Sequence, residues 1–455
     1  MDRRFELRKE ALVNEAQVSP NVFRENLERL EKFTAPFAQL LVRREQKEHA
    51  SSFISGLLSD LDRKNTESIA YRHDQDRKDL QNFIGQSEWD HQPLLMELGR
   101  QVGEELGRPD GVLVFDPSAF PKKGKESVGV ARQWCGRLGK VENCQLGVYM
   151  GYVSSEEHAL VNLRLYLSKE WAKDRKRRKR CHVPRRIRFK KRYELCVEML
   201  KEMGHLLPHQ WIAADEEFGR ISAFRRELRD LGERYLLTVP CDTLIRDLEA
   251  EPPFSSTGTA KQPFQRVDRW CAALAPDAWS TIDVRDGEKG PLKVGIVKCR
   301  VQAHMERSRV GPEELLVVIR RQDDQGEMIY DYCLSNAPPE TELQELARVA
   351  KAEHRIEECI QRGKSETGLA DYEVRSWPGW FHHQTLSLVA AWFVIKETRR
   401  GKKMDACDYI PTNSRGDLTP TACCFSVRWS HADRARTDTA SRTKSTRALL
   451  PLQAC

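Results

Sequence analysis

The sequence has no long apolar segment. Its longest apolar run, Leu386–Ile395, includes Ser387 and is about half as long as the ~20 residues that cross a membrane. Met1 is followed by charged residues rather than by an apolar stretch, so the chain does not start with the pattern of a secretory signal. We therefore expect a soluble, cytoplasmic protein without a membrane partner.

Paired cysteine motifs are also lacking. The 13 cysteines include no Cys-x-x-Cys pair and are scattered from Cys135 to Cys455. In a long chain without an export signal, such scatter is typical of reduced thiols rather than of a disulfide framework. It also argues against a structural zinc site.

The positive charge of the chain is concentrated in one segment. The whole sequence carries only +7, but residues 173–192 contain thirteen Lys or Arg and one acid, Asp174, so the other residues sum to −5. This basic window predicts contacts with DNA phosphates and binding that weakens steeply with salt. The alternative is a solvated, flexible loop. The window residues that we expect to contact DNA are Arg177, Arg178, Lys179, Arg180, Arg185, Arg186, Lys190 and Lys191.

The pattern of apolar residues predicts an α/β fold. Helical periodicity extends to about residue 105, and five short apolar runs follow, separated by the patterns of two helices after the third run. Three strands joined by short turns should be antiparallel, whereas helical crossovers require parallel pairing. The sequence thus predicts a mixed β-sheet flanked by helices. The five runs are Val112–Asp116, Leu146–Val153, Ala159–Leu167, Trp211–Asp215 and Tyr235–Val239.

The same patterns divide the chain into five parts. We expect a long helix from about Glu340 past Lys364, an apolar helix from about His382 to Lys396, and poor order in the Ser-, Thr- and Arg-rich tail. The parts are an N-terminal helical domain (1–105), the first part of the α/β domain (106–240), a β-rich insertion (241–339), C-terminal helices of the α/β domain (340–400) and an irregular tail (401–455).

Two aspartates end predicted strands. Asp116 closes the first strand and Asp215 closes the fourth. If the second and third strands form a meander, the fourth strand can pair beside the first, and the two carboxylates then lie side by side. Two adjacent like charges are either solvated apart or form a site for a hard cation.

The predicted helix 354–364 offers a third acid. Glu357, Gln361 and Lys364 share one face, whereas Glu358 is turned about 100° away. The alternative interpretation is a polar stripe on a solvated helix. Gly363-Lys364-Ser365 does not form a phosphate loop, because Glu358 stands where the first glycine is required.

Five segments carry recognisable motifs: Phe115–Lys125 (FDPSAFPKKGK), Ser127–Gln133 (SVGVARQ), Gly139–Gln145 (GKVENCQ), Trp211–Gly219 (WIAADEEFG) and Gly368–Trp377 (GLADYEVRSW). In this order, and over roughly residues 55 to 400, they resemble the catalytic domain of DDE-type transposases of bacterial insertion sequences. The resemblance implies a cut-and-paste transposase with an RNase H-like fold and a β-rich insertion before the last catalytic helix.

The resemblance implies a metal-binding catalytic triad of Asp116, Asp215 and Glu357 that holds two Mg²⁺ or Mn²⁺ ions. Related transposases carry Tyr-x-x-Arg-x-x-x-Glu-x-x-x-x-x-x-Lys on the last catalytic helix. Glu357 and Lys364 match its final positions, but Ala350 and Glu353 replace the Tyr and Arg. The family's phosphate-gripping role for that pair is therefore not carried over.

The implied partners are double-stranded DNA, both as the terminal inverted repeats of the element and as target DNA, and a second subunit in a synaptic dimer. Such a protein would be associated with the bacterial nucleoid. Lys122, Lys123 and Lys125, after the first aspartate, and Lys364 on the helix are further expected DNA contacts. Two other interpretations stay open: a domesticated nuclease that cuts without joining, and a noncatalytic DNA-binding protein that retains the fold.

An aromatic cluster precedes the last apolar helix. Trp377, Trp380, Phe381, His382 and His383 would either stack on an unpaired base at a cleaved end or pack in the core. We favour core packing because an apolar helix follows. The N-terminal helices would either bind the terminal repeats or pack against the catalytic domain.

Overall fold

The structure, a computed structural model, describes residues 25–251, 262–287, 290–305, 309–323 and 325–407. The predicted tail beyond residue 407 and the Pro252–Gly258 segment that leads into the insertion lie outside the described residues. No helix in these described ranges is long and apolar enough to span a membrane.

Five helices form the N-terminal part of the described chain. Their apolar faces are buried in a core that is continuous with the rest of the protein. Asn65 caps the third helix by accepting the N–H of Ser68 at 2.9 Å, as an N-cap residue does. The helices are α1 (Asn26–Gln39), α2 (Arg44–Leu57), α3 (Thr66–Arg72), α4 (Arg77–Gly85) and α5 (Gln92–Leu106).

A five-stranded mixed sheet follows, with the strand order β4-β3-β1-β5-β6. The first three of these strands are antiparallel neighbours, while β5 and β6 continue the sheet parallel to β1. This is the order and direction of the RNase H-like fold, so the predicted fold class is confirmed. The strands are β1 (Val112–Pro121), β3 (Lys140–Val153), β4 (His158–Leu165), β5 (Trp211–Ala214) and β6 (Tyr235–Thr238); β2 (Ala131–Cys135), which the sequence analysis did not predict, pairs with the start of β3.

Short helices connect the strands of this sheet. The basic window contains one complete helix, Arg175–Arg180, and the rest of it lies almost entirely in turns and loop. The connecting helices are α6 (Lys169–Lys173), α7 (Arg175–Arg180), α8 (Arg192–Met203), α9 (Glu216–Gly219) and α10 (Ser222–Asp230).

The strands of the predicted insertion extend the same sheet rather than form a separate one. The strand β12 pairs antiparallel with β6, and the order continues as β12-β11-β10-β7-β8, with β9 on β10. A second apolar core lies under these strands. The elements are β7 (Leu244–Asp247), β8 (Gln265–Arg266), α11 (Val267–Ala272), β9 (Ser280–Gly287), β10 (Gly290–Met305), β11 (Arg309–Gln322) and β12 (Met328–Ser335).

The predicted long helix after Glu340 is two helices, α12 (Leu343–Ala350) and α13 (Ala352–Glu366). They meet at Lys351, whose ammonium group lies 2.7 Å from Asp331 of β12. The two helices pack on different parts of the sheet: α12 contacts β6, β9 and β10, α13 contacts β1, β3 and β4, and both contact β5 between them.

The last helix, α14 (Trp377–Cys407), is longer at both ends than the predicted 382–396. It joins the N-terminal helices to the sheet: Phe393 packs on Phe33 at 5.1 Å between ring centroids, Glu397 pairs with Arg29 at 2.7 Å, and the helix contacts β4. His382 and His383 are each 1% exposed, and both nitrogens of His382 contact backbone carbonyls at 2.9 Å. The core-packing interpretation of the aromatic cluster is confirmed.

Candidate active site

The register of the sheet brings Asp116 and Asp215 to the same level on adjacent strands. The strands β1 and β5 are parallel, and the last paired residues are Phe115 and Ala214. Each aspartate follows its paired residue directly, and neighbouring strands lie ~4.8 Å apart. Both side chains are partly buried, and the predicted adjacency of the two aspartates agrees with the strand register. The prediction that Asp116 ends its strand is wrong, because β1 continues to Pro121 and Asp116 pairs with Tyr149 of β3; only the pairing with β5 ends before Asp116.

The local structure fixes the side chain of Asp215 at the carboxyl end of β5. Asp215 caps α9, where it accepts the backbone N–H groups of Glu217 at 3.1 Å and Phe218 at 3.4 Å. An N-cap carboxylate keeps one rotamer because it satisfies otherwise unpaired helix N–H groups. The side chain is therefore fixed before any ligand binds.

The helix α13 lies over the strands that carry the aspartates. Gly151 of β3, which pairs with Val114 of β1, makes this close packing possible, because a Cβ atom at Gly151 would lie 2.3 Å from Cδ1 of Ile356. Ile356 is fully buried against the sheet. The adjoining residue, Glu357, is half-exposed, and one of its carboxylate oxygens lies 3.7 Å from Nδ1 of His354.

Glu353 is a fourth acid of this region that the sequence analysis did not single out. Burial, and then the negative charges of Asp215 and Glu357, raise the pKa of Glu353 to about 8. Its carboxylate accepts a hydrogen bond from the hydroxyl of Thr238, at the end of β6, at 3.0 Å. Its position one turn before Glu357 was the available signal, because residues four apart share a helix face.

Glu353 therefore shows that acids from two elements converge. Like charges raise a carboxyl pKa only when they are close and poorly screened. Asp215 from the end of β5 and Glu357 from α13 both act on Glu353. Glu358 is exposed, and it is not among the charges that raise the pKa of Glu353.

Lys364 lies on the β1 side of this region. Its ammonium group donates to the Ser118 hydroxyl at 2.7 Å, two residues beyond Asp116. Burial and the nearby Arg137 lower the pKa of Lys364 to about 8, against the opposing effect of Asp116. Lys364, which matches the last position of the transposase motif, thus brings a cation close to Asp116 and does not belong to a phosphate loop.

The lysines after β1 have different surroundings. Lys122 lies 3.5 Å above the ring of Tyr372 and donates to the carbonyl of that residue at 3.0 Å, and burial lowers its pKa to about 8. Lys123 and Lys125 are exposed. With Arg375, Lys122 and Lys123 line a surface cavity of about 230 Å³.

The basic window packs against the same segment. Arg177 stacks on Trp171 at 3.9 Å and donates to the Lys125 carbonyl at 2.8 Å, and Arg180 pairs with Glu126 at 2.8 Å. Other window cations have structural partners: Arg178 donates to two backbone carbonyls at 2.8 and 3.0 Å, and Lys190 pairs with Glu198. The exposed cations of the window are Lys173, Arg175, Lys176, Lys179, Arg180, Arg185, Arg186, Arg188 and Lys191.

The donors of the acidic region suit a hard divalent cation. All are carboxylate oxygens, which Mg²⁺ and Mn²⁺ prefer, and the raised pKa of Glu353 marks negative charge that a cation would compensate. Within the described ranges, however, no three or more His, Cys, Asp or Glu side chains are grouped closely enough to hold a metal ion as they stand. The chemistry of the residues fits a metal ion; their present spacing does not form a closed cage.

Comparisons with known proteins identify the family. The sequence profile of the DDE superfamily endonucleases matches residues 36–291, more than half of the chain. Among solved structures, the chain is similar to the piggyBac transposase in a cryo-EM structure of its synaptic complex with hairpin DNA. That match has 10% identity and a TM-score of 0.37, and it covers 93% of this chain and 82% of that chain. No curated protein sequence matches, so the family assignment rests on the profile match.

Proposed function

Because the chain belongs to the DDE superfamily endonuclease family, we propose that it is a transposase that binds the ends of an insertion sequence and catalyses metal-dependent DNA cleavage and strand transfer. One observation carries this proposal. The parallel register of β1 and β5 sets Asp116 beside Asp215, and α13 brings further acids toward Asp215. Three carboxylates from separate elements are the donor set that the proposed chemistry requires.

Asp116, Asp215 and Glu357 would hold the divalent ions, two Mg²⁺ or Mn²⁺ per site. The chemistry supplied at such a site is activation of water and stabilisation of the departing 3′ oxygen. Glu353 adds negative charge beside Asp215 and Glu357 and is the acid that a bound cation would deprotonate, because a nearby positive charge lowers a carboxyl pKa.

The chain's own residues would position DNA. Lys364, fixed by Ser118, supplies a positive charge beside Asp116 for a phosphate near the cleaved bond. The exposed cations of the basic window and Lys123 and Lys125 would neutralise phosphates farther along the duplex. Synapsis of two DNA ends would place two copies of the chain together.

Neutralising each triad acid tests the proposal. The variants Asp116→Asn, Asp215→Asn and Glu357→Gln should each slow Mg²⁺-dependent nicking of end-containing DNA by about a thousandfold or more, since several kcal/mol of charge stabilisation would be lost. DNA affinity, measured by fluorescence anisotropy, should change little.

Glu358→Gln is the matched control, because Glu358 is the exposed neighbour of Glu357, and this variant should cut at the wild-type rate. Retained nicking in any triad variant would remove that residue from the site. Precleaved ends supplied to the wild type separate the alternatives: joined product supports a transposase, whereas cutting without joining indicates a nuclease.

A further inference from the structure

The hairpin of β2 and β3 exposes an aromatic surface. Trp134 is 57% exposed, and it is the one exposed tryptophan among the nine in the part of the chain that the structure describes. It pairs across the hairpin with Val141, which is 50% exposed, and Leu138 at the turn is 44% exposed. Directly paired residues share a sheet face, so the indole and the valine form one apolar surface.

The hairpin is anchored beside the candidate active site. Cys135, next to Trp134, is buried in a small cluster with Cys144 and with Ala119 of β1, three residues after Asp116. The turn Gly136–Leu138 packs against β1. Arg137 in this turn lies close enough to lower the pKa of Lys364, which also responds to Asp116. The tip of the hairpin therefore lies within reach of DNA bound at the acids.

The charges around the indole are mostly positive. Arg132 lies on the face of Trp134, two residues away, and both are exposed. Arg137 and Lys140 are exposed at the turn, where Lys140 lies 3.3 Å from Glu142. A rigid aromatic ring among cations is complementary to a base with its flanking phosphates.

We propose that the tip of the β2–β3 hairpin is a DNA contact in which Trp134 stacks on a base that is unpaired at the cleavage site. Fully paired DNA presents phosphates to a protein surface and keeps its base faces stacked inside the helix, so it offers an exposed indole little to bind. An unpaired base exposes its face, and every base has one, so the contact tolerates sequence. This inference rests on the proposed function, because it requires DNA at the acids.

Binding of two DNA probes tests the stacking contact. The probes are a short duplex with two unpaired thymines at its centre and the same duplex fully paired. Affinities of the full chain are measured by fluorescence anisotropy without divalent metal, so that no cleavage occurs. Trp134→Ala should weaken binding of the unpaired probe by roughly 5- to 100-fold and of the paired probe by less than about twofold. Trp134→Phe should restore most of the affinity.

The controls separate this inference from the proposed function. Tyr71→Ala removes another exposed aromatic side chain, 67% exposed, outside the hairpin and should leave both affinities unchanged. Equal affinities of the wild type and Trp134→Ala for the unpaired probe would overturn the stacking contact, as would equal weakening of both probes. Loss of a dimer in Trp134→Ala by sedimentation, with unchanged DNA binding, would assign the surface to a second copy instead. Selective loss for the unpaired probe would support the stacking contact even if the triad variants kept their nicking activity.

Discussion

Two glutamates, one buried and one partly buried, have opposite surroundings in the folded chain. Glu314 of β11 is 2% exposed, and its carboxylate meets Arg225 at 3.0 Å and Arg229 at 3.2 Å. Glu353 of α13 faces Asp215 and Glu357 instead, and burial together with these charges raises its pKa to about 8. One acid is matched with cations of the chain, and the other is crowded by acids.

The difference indicates a structural role for Glu314 and a functional role for Glu353. The contacts of Glu314 tie α10 to β11, so they hold the extended part of the sheet against the RNase H-like part. A carboxylate crowded by like charges is an unfavourable arrangement in the folded state, and such perturbed acids cluster at functional sites. A divalent ion bound there, as proposed, would compensate the charge around Glu353.

The largest change in stability is expected when Glu314, the acid paired with two arginines, is neutralised. Glu314→Gln removes the negative charge and leaves the guanidinium groups of Arg225 and Arg229 without it in a buried setting, which should lower the free energy of unfolding by about 3 kcal/mol or more. Urea unfolding followed by circular dichroism measures the loss. The neighbouring pair Glu313 and Arg300 is about half exposed at 3.1 Å, so Glu313→Gln should cost less than about 1 kcal/mol. Equal losses in the two variants would contradict the comparison.

Neutralising Glu353 should have the opposite effect and stabilise the folded chain. The pKa of Glu353 is raised from 4.5 to about 8, so between these pH values the unfolded chain binds fewer protons than the folded one. This group therefore lowers stability as pH rises through that range, and its cost is complete above pH 8. Glu353→Gln should raise the melting temperature by a few degrees at pH 8 and leave it unchanged near pH 4.

Added Mg²⁺ sharpens this second prediction. In the wild type a bound cation should offset the crowding at pH 8 and raise the free energy of unfolding by about 1.4 kcal/mol at ten times the dissociation constant, and the melting temperature should rise with it. The gain should be smaller in Glu353→Gln and absent in Asp215→Asn. A melting temperature that falls in Glu353→Gln at pH 8 would show that the acid is satisfied by its surroundings.

The sequence predicted the elements that carry this comparison but not all of their contacts. The five strands of the RNase H-like sheet were evident because buried strands read as short apolar runs. The adjacency of Asp116 and Asp215 followed from strand order, which chain connectivity restricts. The confirmed core position of His382 and His383 followed from the apolar helix that continues after them.

Features that depend on tertiary packing were not predicted. The break at Lys351 was missed because both α12 and α13 have helical patterns, and only their contacts with different strands separate them. Glu353 occupies a motif position at which related transposases carry Arg, so the motif assigns no role to its carboxylate. The strand β2 alternates polar and apolar residues over only five positions, and its exposed Trp134 gives no sign in the sequence of being outside the core.

The smallest effect on stability is expected at the exposed cations of the basic window. Lys179, Arg185 and Arg186 are exposed, so replacing all three with Gln should change the free energy of unfolding by no more than about 0.5 kcal/mol. Their effect should lie in DNA binding, because each phosphate contact releases counterions. The slope of log affinity against log salt should fall by about 2 to 3 in magnitude, whereas neutralising the exposed cations Arg226, Arg269 and Lys293 outside the window should leave the slope unchanged. An unchanged slope in the window variant would exclude these three residues from the DNA contact.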